Sequence, residues 1–228
     1  MQLVAVLQAR VVAFLQLEEL NPRGRVFFPN ITQGLLERYR FLKVPQTWEE
    51  YFNPPQGSGV PYLNGEWNGI SIKRLEIFPS GIVVETQSST DDSEKFLHEA
   101  LAWAADTFDL TYQPSMIKRW AFVSHLTFVS EAPLLDALHP KLSSFEERIT
   151  KSLETNLGLT IPFKAYGLSF AFETTGENPP AIPLQIERRG GVPFSENKYF
   201  SAAPLSTNEH LEFLKDFEAV ILQSHGRS

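Results

Sequence analysis

The first stretch of the chain alternates between apolar and polar positions with a period of two. The odd positions from 3 to 17 are all apolar, whereas the even positions include Gln8, Arg10 and Gln16. Successive side chains of a strand point to opposite faces, so this pattern predicts a long strand with one buried face. Leu, Ala and Gln also favour a helix, which is the alternative. The strict alternation and the valines favour the strand.

Four stretches predict longer helices, because apolar residues recur every three or four positions behind a pair of residues that starts helices. The starting pairs are Asn30 with Gln33, Asp91 with Glu94, Ser143 with Glu146, and Ser206 with Glu209. Another pair, Thr47 with Glu50, predicts one short helical turn. The third helix carries a five-residue apolar stripe, typical of a face packed on a core: Leu142, Phe145, Ile149, Leu153 and Leu157.

Two neighbouring stretches predict a β-hairpin. Ile70–Phe78 and residues 82–86 are separated by Pro, Ser and Gly, a combination typical of a tight turn. The alternation slips at Lys73 and Arg74, which predicts a β-bulge. The stretch before the hairpin, residues 53–65, is rich in Pro and Gly and predicts a loop. Further strands are expected at 120–130, 166–172, 182–186 and 198–202, with a turn cluster at 174–180.

The order of these elements repeats along the chain. Strand, helix, two strands and helix occur over residues 1–113 and again, with one more short strand, over 114–228. This order predicts an α+β protein of two pseudo-duplicated halves, each an antiparallel sheet with helices packed on one face. We expect the halves to form one compact unit. The alternative topology is a ferredoxin-like β-α-β-β-α-β unit over residues 3–130 with the remainder attached.

The amino-acid composition excludes several kinds of functional site. The 228 residues include no cysteine, which excludes disulfides, thiolate metal sites, iron–sulfur clusters and cysteine nucleophiles. The 18 Phe, 6 Tyr and 4 Trp predict an aromatic-rich core or interface. With 20 basic and 27 acidic side chains the formal net charge is −7, which argues against a nucleic-acid partner bound through its phosphates.

The N-terminal apolar stretch is not typical of a signal peptide, because polar residues interrupt it and no basic segment precedes it. No stretch of the sequence reaches the ~20 apolar residues that a helix needs to cross a bilayer. We therefore expect a cytoplasmic protein with no membrane partner.

Familiar catalytic and cofactor-binding motifs do not occur in the sequence. It lacks the H-E-x-x-H metal motif, the P-loop, G-x-G-x-x-G and the nucleophile elbow. We therefore expect no metal, no cofactor and no catalytic residue. The five histidines are expected to be structural or exposed. His125 lies in a predicted strand among apolar neighbours and is the histidine whose pKa is most expected to be altered.

The stretch 187–200 combines charged, amide, glycine and aromatic residues in a predicted loop. Such loops often carry function, although a hairpin crossover anchored by its aromatic residues is the structural explanation of the same composition. The candidate ligand- or partner-binding residues are Arg188, Arg189, Glu196, Asn197 and Tyr199, with His125 as a sixth.

These observations favour a non-catalytic interaction protein, a subunit or adaptor that binds another protein or itself. Its signature is a large apolar patch on the folded chain. One alternative is a small-molecule sensor with an aromatic-lined pocket between the two halves. A second alternative is an enzyme that uses carboxylates, His125 or the 187–200 stretch.

Overall fold

The computed structural model describes residues 1–158, 160–171, 173 and 182–225. The predicted turn cluster at 174–180 and the end of the predicted strand at Phe172 lie outside these residues. The described strands are β1 (Gln2–Phe14), β2 (Val60–Trp67), β3 (Ile70–Phe78), β4 (Gly81–Thr86), β5 (Arg119–Val129), β6 (Gly167–Phe170), β7 (Leu184–Arg188) and β8 (Lys198–Ala203). The described α-helices are α1 (Leu17–Leu20), α2 (Phe28–Tyr39), α3 (Trp48–Phe52), α4 (Thr90–Phe108), α5 (His139–Leu157) and α6 (Thr207–His225).

The described strands form one antiparallel sheet with the order β2-β3-β4-β1-β5-β8-β7-β6, and helices pack on it. The α+β fold class is therefore confirmed, while the pseudo-duplication of two halves stays a prediction. β1 pairs antiparallel with β4. The ferredoxin-like alternative is compatible with this pairing, because its helical crossovers join β1 to β3 and β4 to β5, which are not neighbours in the sheet, and it stays a prediction.

The chain divides into two compact units. The first unit comprises Val6–Ser124 and Pro204–Asn208, and the second unit comprises Met1–Ala5, His125–Ala203 and Glu209–Ser228. The division of the sequence at residue 113 stays a prediction.

The N-terminal stretch forms a strand, as its alternation predicts, and the helix alternative is wrong. In the first unit, Ala9, Val11 and Ala13 are buried on the odd-numbered face of β1, and Leu15, just after the strand, is buried too. That face belongs to a core built with the apolar stripes of α2 and α4. The predicted period of two therefore identifies the buried face correctly over this part of the strand.

The predicted hairpin is confirmed, and its bulge falls at the expected place, between Ile72 and Arg74. The predicted loop over 53–65 is wrong from Val60 onward, because β2 starts there and pairs with β3. The Pro and Gly residues of β2 are typical of loops, and for that reason the sequence predicts a loop here. Asn68 and Gly69 connect β2 to β3 with positive φ angles of 49° and 79°, as a tight hairpin turn requires.

A substitution at Gly65 tests whether β2 packs closely against the Phe41 side chain. A Cβ atom at Gly65 would lie 2.7 Å from two ring carbons of the buried Phe41. We expect Gly65→Ala to lower the free energy of unfolding by about 1–3 kcal/mol, because overpacking forces neighbours to shift. Urea denaturation measures the change.

The matched control for that substitution is Gly190→Ala. The nearest atom to a Cβ there is the Tyr166 hydroxyl oxygen at 3.8 Å. We expect a change of no more than about 0.5 kcal/mol at this surface position. Equal stabilities of the two variants would contradict the close approach of β2 to Phe41.

The structure confirms the predicted start of α3 and corrects the predicted starts of α2, α4 and α5. The capping box of Thr47 and Glu50 is present at α3. α4 is capped by Ser89, whose hydroxyl accepts the N–H of Asp92, and the predicted cap at Asp91 is wrong. α2 and α5 both begin before their predicted starting pairs, at Phe28 and His139.

Among the described residues, no helix is both long and apolar enough to cross a membrane.

The first residues of α4 and α6, which both belong to the first unit, share a reciprocal cap. The N–H of Thr90, at the start of α4, donates to the Thr207 hydroxyl at 3.0 Å. The N–H of Thr207, at the start of α6, donates to the Thr90 hydroxyl at 2.9 Å. Each threonine thus satisfies one of the N–H groups that the first turn of a helix leaves unpaired.

Candidate functional site

Arg188, one of the predicted binding residues, is buried in the second unit with only 2% of its surface exposed. Its Nη2 donates to Asp136 Oδ1 at 2.7 Å, and its Nε donates to the Ala165 carbonyl at 3.0 Å. The guanidinium carbon lies 4.2 Å from the centroid of the Phe194 ring. A charge buried this deeply needs such partners, so the arrangement fixes the end of β7.

Tyr199, a second predicted residue, pairs with Arg188 across β7 and β8. Its buried ring stacks on Phe128 with centroids 5.6 Å apart. Burial raises the pKa of its hydroxyl, against the opposing effects of the Arg188 charge and the nearby N–H groups of Leu135 and Leu134. Within the described residues the Tyr199 hydroxyl and Arg188 Nη1 have no hydrogen-bond partner.

The other predicted loop residues do not join this cluster. Arg189 and Glu196 are exposed, and their backbone N–H groups close the loop through hydrogen bonds to neighbouring carbonyls. Asn197 has a positive φ of 48°, and its carbonyl accepts the Ser130 N–H at 3.0 Å. The structure therefore brings together Arg188 and Tyr199 alone from this set. A ligand- or partner-binding role for any of them stays a prediction.

Two histidines of the second unit differ from expectation. His125 is half-buried and packs edge-on against Phe200, with ring centroids 5.6 Å apart. His210 is fully buried, and burial together with the His125 charge lowers its pKa to about 4. His210 Nε2 lies 2.8 Å from the Ser201 hydroxyl, which itself donates to the Gln185 carbonyl at 2.6 Å. Because the Ser201 hydroxyl uses its only proton in the bond to Gln185, His210 Nε2 must donate its proton to the Ser201 oxygen. We therefore interpret this histidine–serine pair as structural.

The apolar stripe of α5 is only partly covered, because Ile149 and Leu153 are half-buried and the other three residues are exposed, which corrects the expectation of a packed face. Leu142, Phe145 and Leu157 are all exposed. α5 instead holds its neighbouring segment through polar groups. Glu146 is buried and accepts the Ala165 N–H at 2.9 Å, and the Thr150 hydroxyl accepts the Phe163 N–H at 2.9 Å.

Four more exposed apolar side chains lie after α5, in residues 161–166 and in β6. Together with the α5 stripe they form a set that we call the α5–β6 surface: Leu142, Phe145, Leu157, Ile161, Phe163, Tyr166 and Phe170. Each of these seven side chains is between 37% and 70% exposed. With about 200 Å² for a fully exposed large side chain, they leave roughly 700 Å² open. The largest apolar patch of a typical monomer covers about 300–600 Å².

The first unit contains a mainly apolar cavity of about 390 Å³. Its apolar lining consists of Leu17, Leu20, Phe28, Ile31, Pro79 and Leu110. Gln16 and Glu18 add polar groups. Such a volume with few polar groups is typical of a site for a small apolar ligand.

A polar cluster of the first unit surrounds a second cavity of about 340 Å³. Glu99 accepts from Arg38 Nη2 at 3.1 Å and from Trp67 Nε1 at 2.7 Å, one bond on each carboxylate oxygen. Arg38 Nε also donates to the Tyr39 hydroxyl at 3.1 Å. Burial raises the pKa of Tyr39, against the opposing effect of that bond. The cluster thus positions Arg38 over the Tyr39 and Trp103 rings.

Within the described ranges, no three metal-ligating side chains converge. No protein-family model matches this sequence, and no curated protein is similar to it.

Proposed function

We propose that this chain is a non-catalytic interaction protein, a subunit or adaptor of a cytoplasmic assembly, and that it docks a protein partner on the α5–β6 surface. The observation that supports this most is the set of seven exposed apolar side chains on α5, on the segment bound to it and on β6, which together leave roughly 700 Å² open. The net charge of −7 favours a protein partner over nucleic acid.

The local structure also supports docking rather than core formation. The residues that tie α5 to its own chain are Glu146 and Thr150, and both use polar atoms. The aromatic side chains nearby are held at the surface, where Phe and Tyr supply much of the contact energy in protein interfaces. The proposal thus assigns to the α5 stripe a partner outside the chain.

Site-specific photo-crosslinking tests this proposal. We expect p-benzoylphenylalanine in place of Phe145 to form a discrete covalent adduct with one protein when cells of the native host are irradiated. Phe27 is the matched control, because it is also an exposed aromatic residue but lies on the first unit. No adduct from position 145, or the same adducts from positions 145 and 27, would contradict the proposal.

A second candidate function, small-molecule binding, is supported by the apolar cavity of the first unit. In this form of the hypothesis the first unit alone holds the ligand. Native mass spectrometry of the protein purified from its host tests it, with Ile31→Trp as a variant that fills the cavity. A bound mass that is unchanged by this variant would contradict binding in the cavity. The carboxylate-dependent enzyme stays a hypothesis without a specific supporting observation.

A further inference from the structure

β6 is the last of the described strands in the sheet order, and its hydrogen-bonding pattern shows which of its backbone groups point away from β7. The Arg188 N–H donates to the Tyr166 carbonyl at 2.9 Å, which makes residues 166 and 188 a hydrogen-bonded pair. Such pairs alternate along an antiparallel ladder, so Leu168 also bonds to β7. Gly167 and Ser169 therefore direct their N–H and carbonyl groups away from β7.

The two ends of the sheet differ. At the opposite end, Leu63 of β2 exchanges backbone hydrogen bonds with Lys43, which covers that edge. Within the described residues, the outward groups of Gly167 and Ser169 receive no such cover. An uncovered edge strand is a template for pairing with another strand.

The sequence of β6 is complementary to itself. If a second β6 runs antiparallel about a two-fold axis at Ser169, the outward groups of the two Ser169 residues bond to each other. Leu168 of one copy then lies opposite Phe170 of the other in a non-hydrogen-bonded pair, where side chains approach most closely. Both side chains lie on the same face of the strand as Tyr166, so the pairing extends the α5–β6 surface across the axis.

We propose that a second copy of this chain binds through β6, antiparallel and centred on Ser169, and covers the α5–β6 surface. This rests on the proposed function, since it names the partner of that surface. The seven side chains together expose roughly 700 Å² on each copy, which is enough to supply most of the ~800 Å² per partner of a standard stable interface. A two-fold interface uses the same patch twice, and this patch supplies both halves of the Leu168–Phe170 contact.

The test is the mass of the protein in solution, measured by analytical ultracentrifugation over a range of concentrations. We expect wild-type protein to sediment at twice 25.8 kDa. Ser169 is exposed, and a charge at this position would face its own copy across the axis. Ser169→Lys and Ser169→Glu should each raise the dissociation constant roughly fivefold or more, whereas Ser169→Ala should not change it.

Mixing the two charged variants gives the sharper result. The lysine of one variant would then face the glutamate of the other across the axis, so an equimolar mixture should regain the wild-type dissociation constant. Circular dichroism of each variant checks that it is folded. A wild-type monomer at all concentrations, a dimer insensitive to Ser169→Lys, or no recovery on mixing would each overturn this pairing.

Failure of the dimer is distinguishable from failure of the docking surface. A wild-type monomer whose position 145 crosslinks to a different protein would overturn the second copy as partner and leave the proposed function standing. A monomer with no crosslink from position 145 would overturn both.

Discussion

Replacing Arg188 with alanine is expected to lower the free energy of unfolding by about 2–3 kcal/mol, because it removes two hydrogen bonds made by a buried charged group. Arg188 is almost fully buried, and its loss leaves the Ala165 carbonyl without this donor and Asp136 with only Lys164, whose Nζ lies 3.8 Å away. It also removes the contact with the Phe194 ring. Urea denaturation followed by circular dichroism measures the change.

The adjacent arginine provides the control for this experiment. Arg189 carries the same charge but is exposed, and its backbone rather than its side chain closes the loop. Arg189→Ala should therefore change the free energy of unfolding by no more than about 0.5 kcal/mol. If the two alanine variants unfold at the same urea concentration, Arg188 does not stabilise the end of β7 as described.

Acidification is expected to destabilise the protein through His210. Burial and the His125 charge lower the pKa of His210 to about 4, whereas an unfolded histidine titrates near its ordinary 6.5. Between these values the unfolded state binds the proton and the folded state does not, so acid favours unfolding. This contribution is fully present above pH 6.5. It falls progressively towards pH 4, by about 3 kcal/mol in total.

His210→Gln isolates that contribution. Glutamine keeps a donor for the Ser201 hydroxyl but does not titrate, whereas the carboxylates titrate in both proteins and cancel in the difference. The free energy of unfolding of the wild type should therefore fall relative to that of the variant, steadily from pH 7 to pH 4 and by about 3 kcal/mol in total. A difference that is constant over this range would show that His210 is not a buried neutral histidine.

Much of the fold could be predicted because local patterns agreed with tertiary packing. The alternation in β1, the turn before β4 and the capping pair of α3 are all decided by residues close in sequence. β2 was missed because its Pro and Gly residues have low strand propensity, and contact with Phe41 compensates for it. The Asn68–Gly69 turn was the available signal for that strand.

The cluster around Arg188 was harder to predict, because its contacts join residues that are far apart in the sequence. Asp136 lies 52 residues from Arg188, and nothing in the local sequence marks it as the partner. His210 precedes the buried Leu214 by one helical turn, so helical spacing could have indicated its burial. The α5 stripe was recognised, but periodicity shows that a face is apolar and not which molecule covers it.

The reciprocal cap between Thr90 and Thr207 has a consequence for the time at which the first unit is completed during synthesis. A ribosome that has made α4 has not yet made the partner for its first N–H, which follows 117 residues later. At about 5–20 residues per second, that delay lasts roughly 6–23 seconds. Until then the Thr90 N–H of the nascent first unit lacks its threonine acceptor, although Ser89 already caps the same helix. Final closure of the unit follows the emergence of residues 204–208 from the exit tunnel.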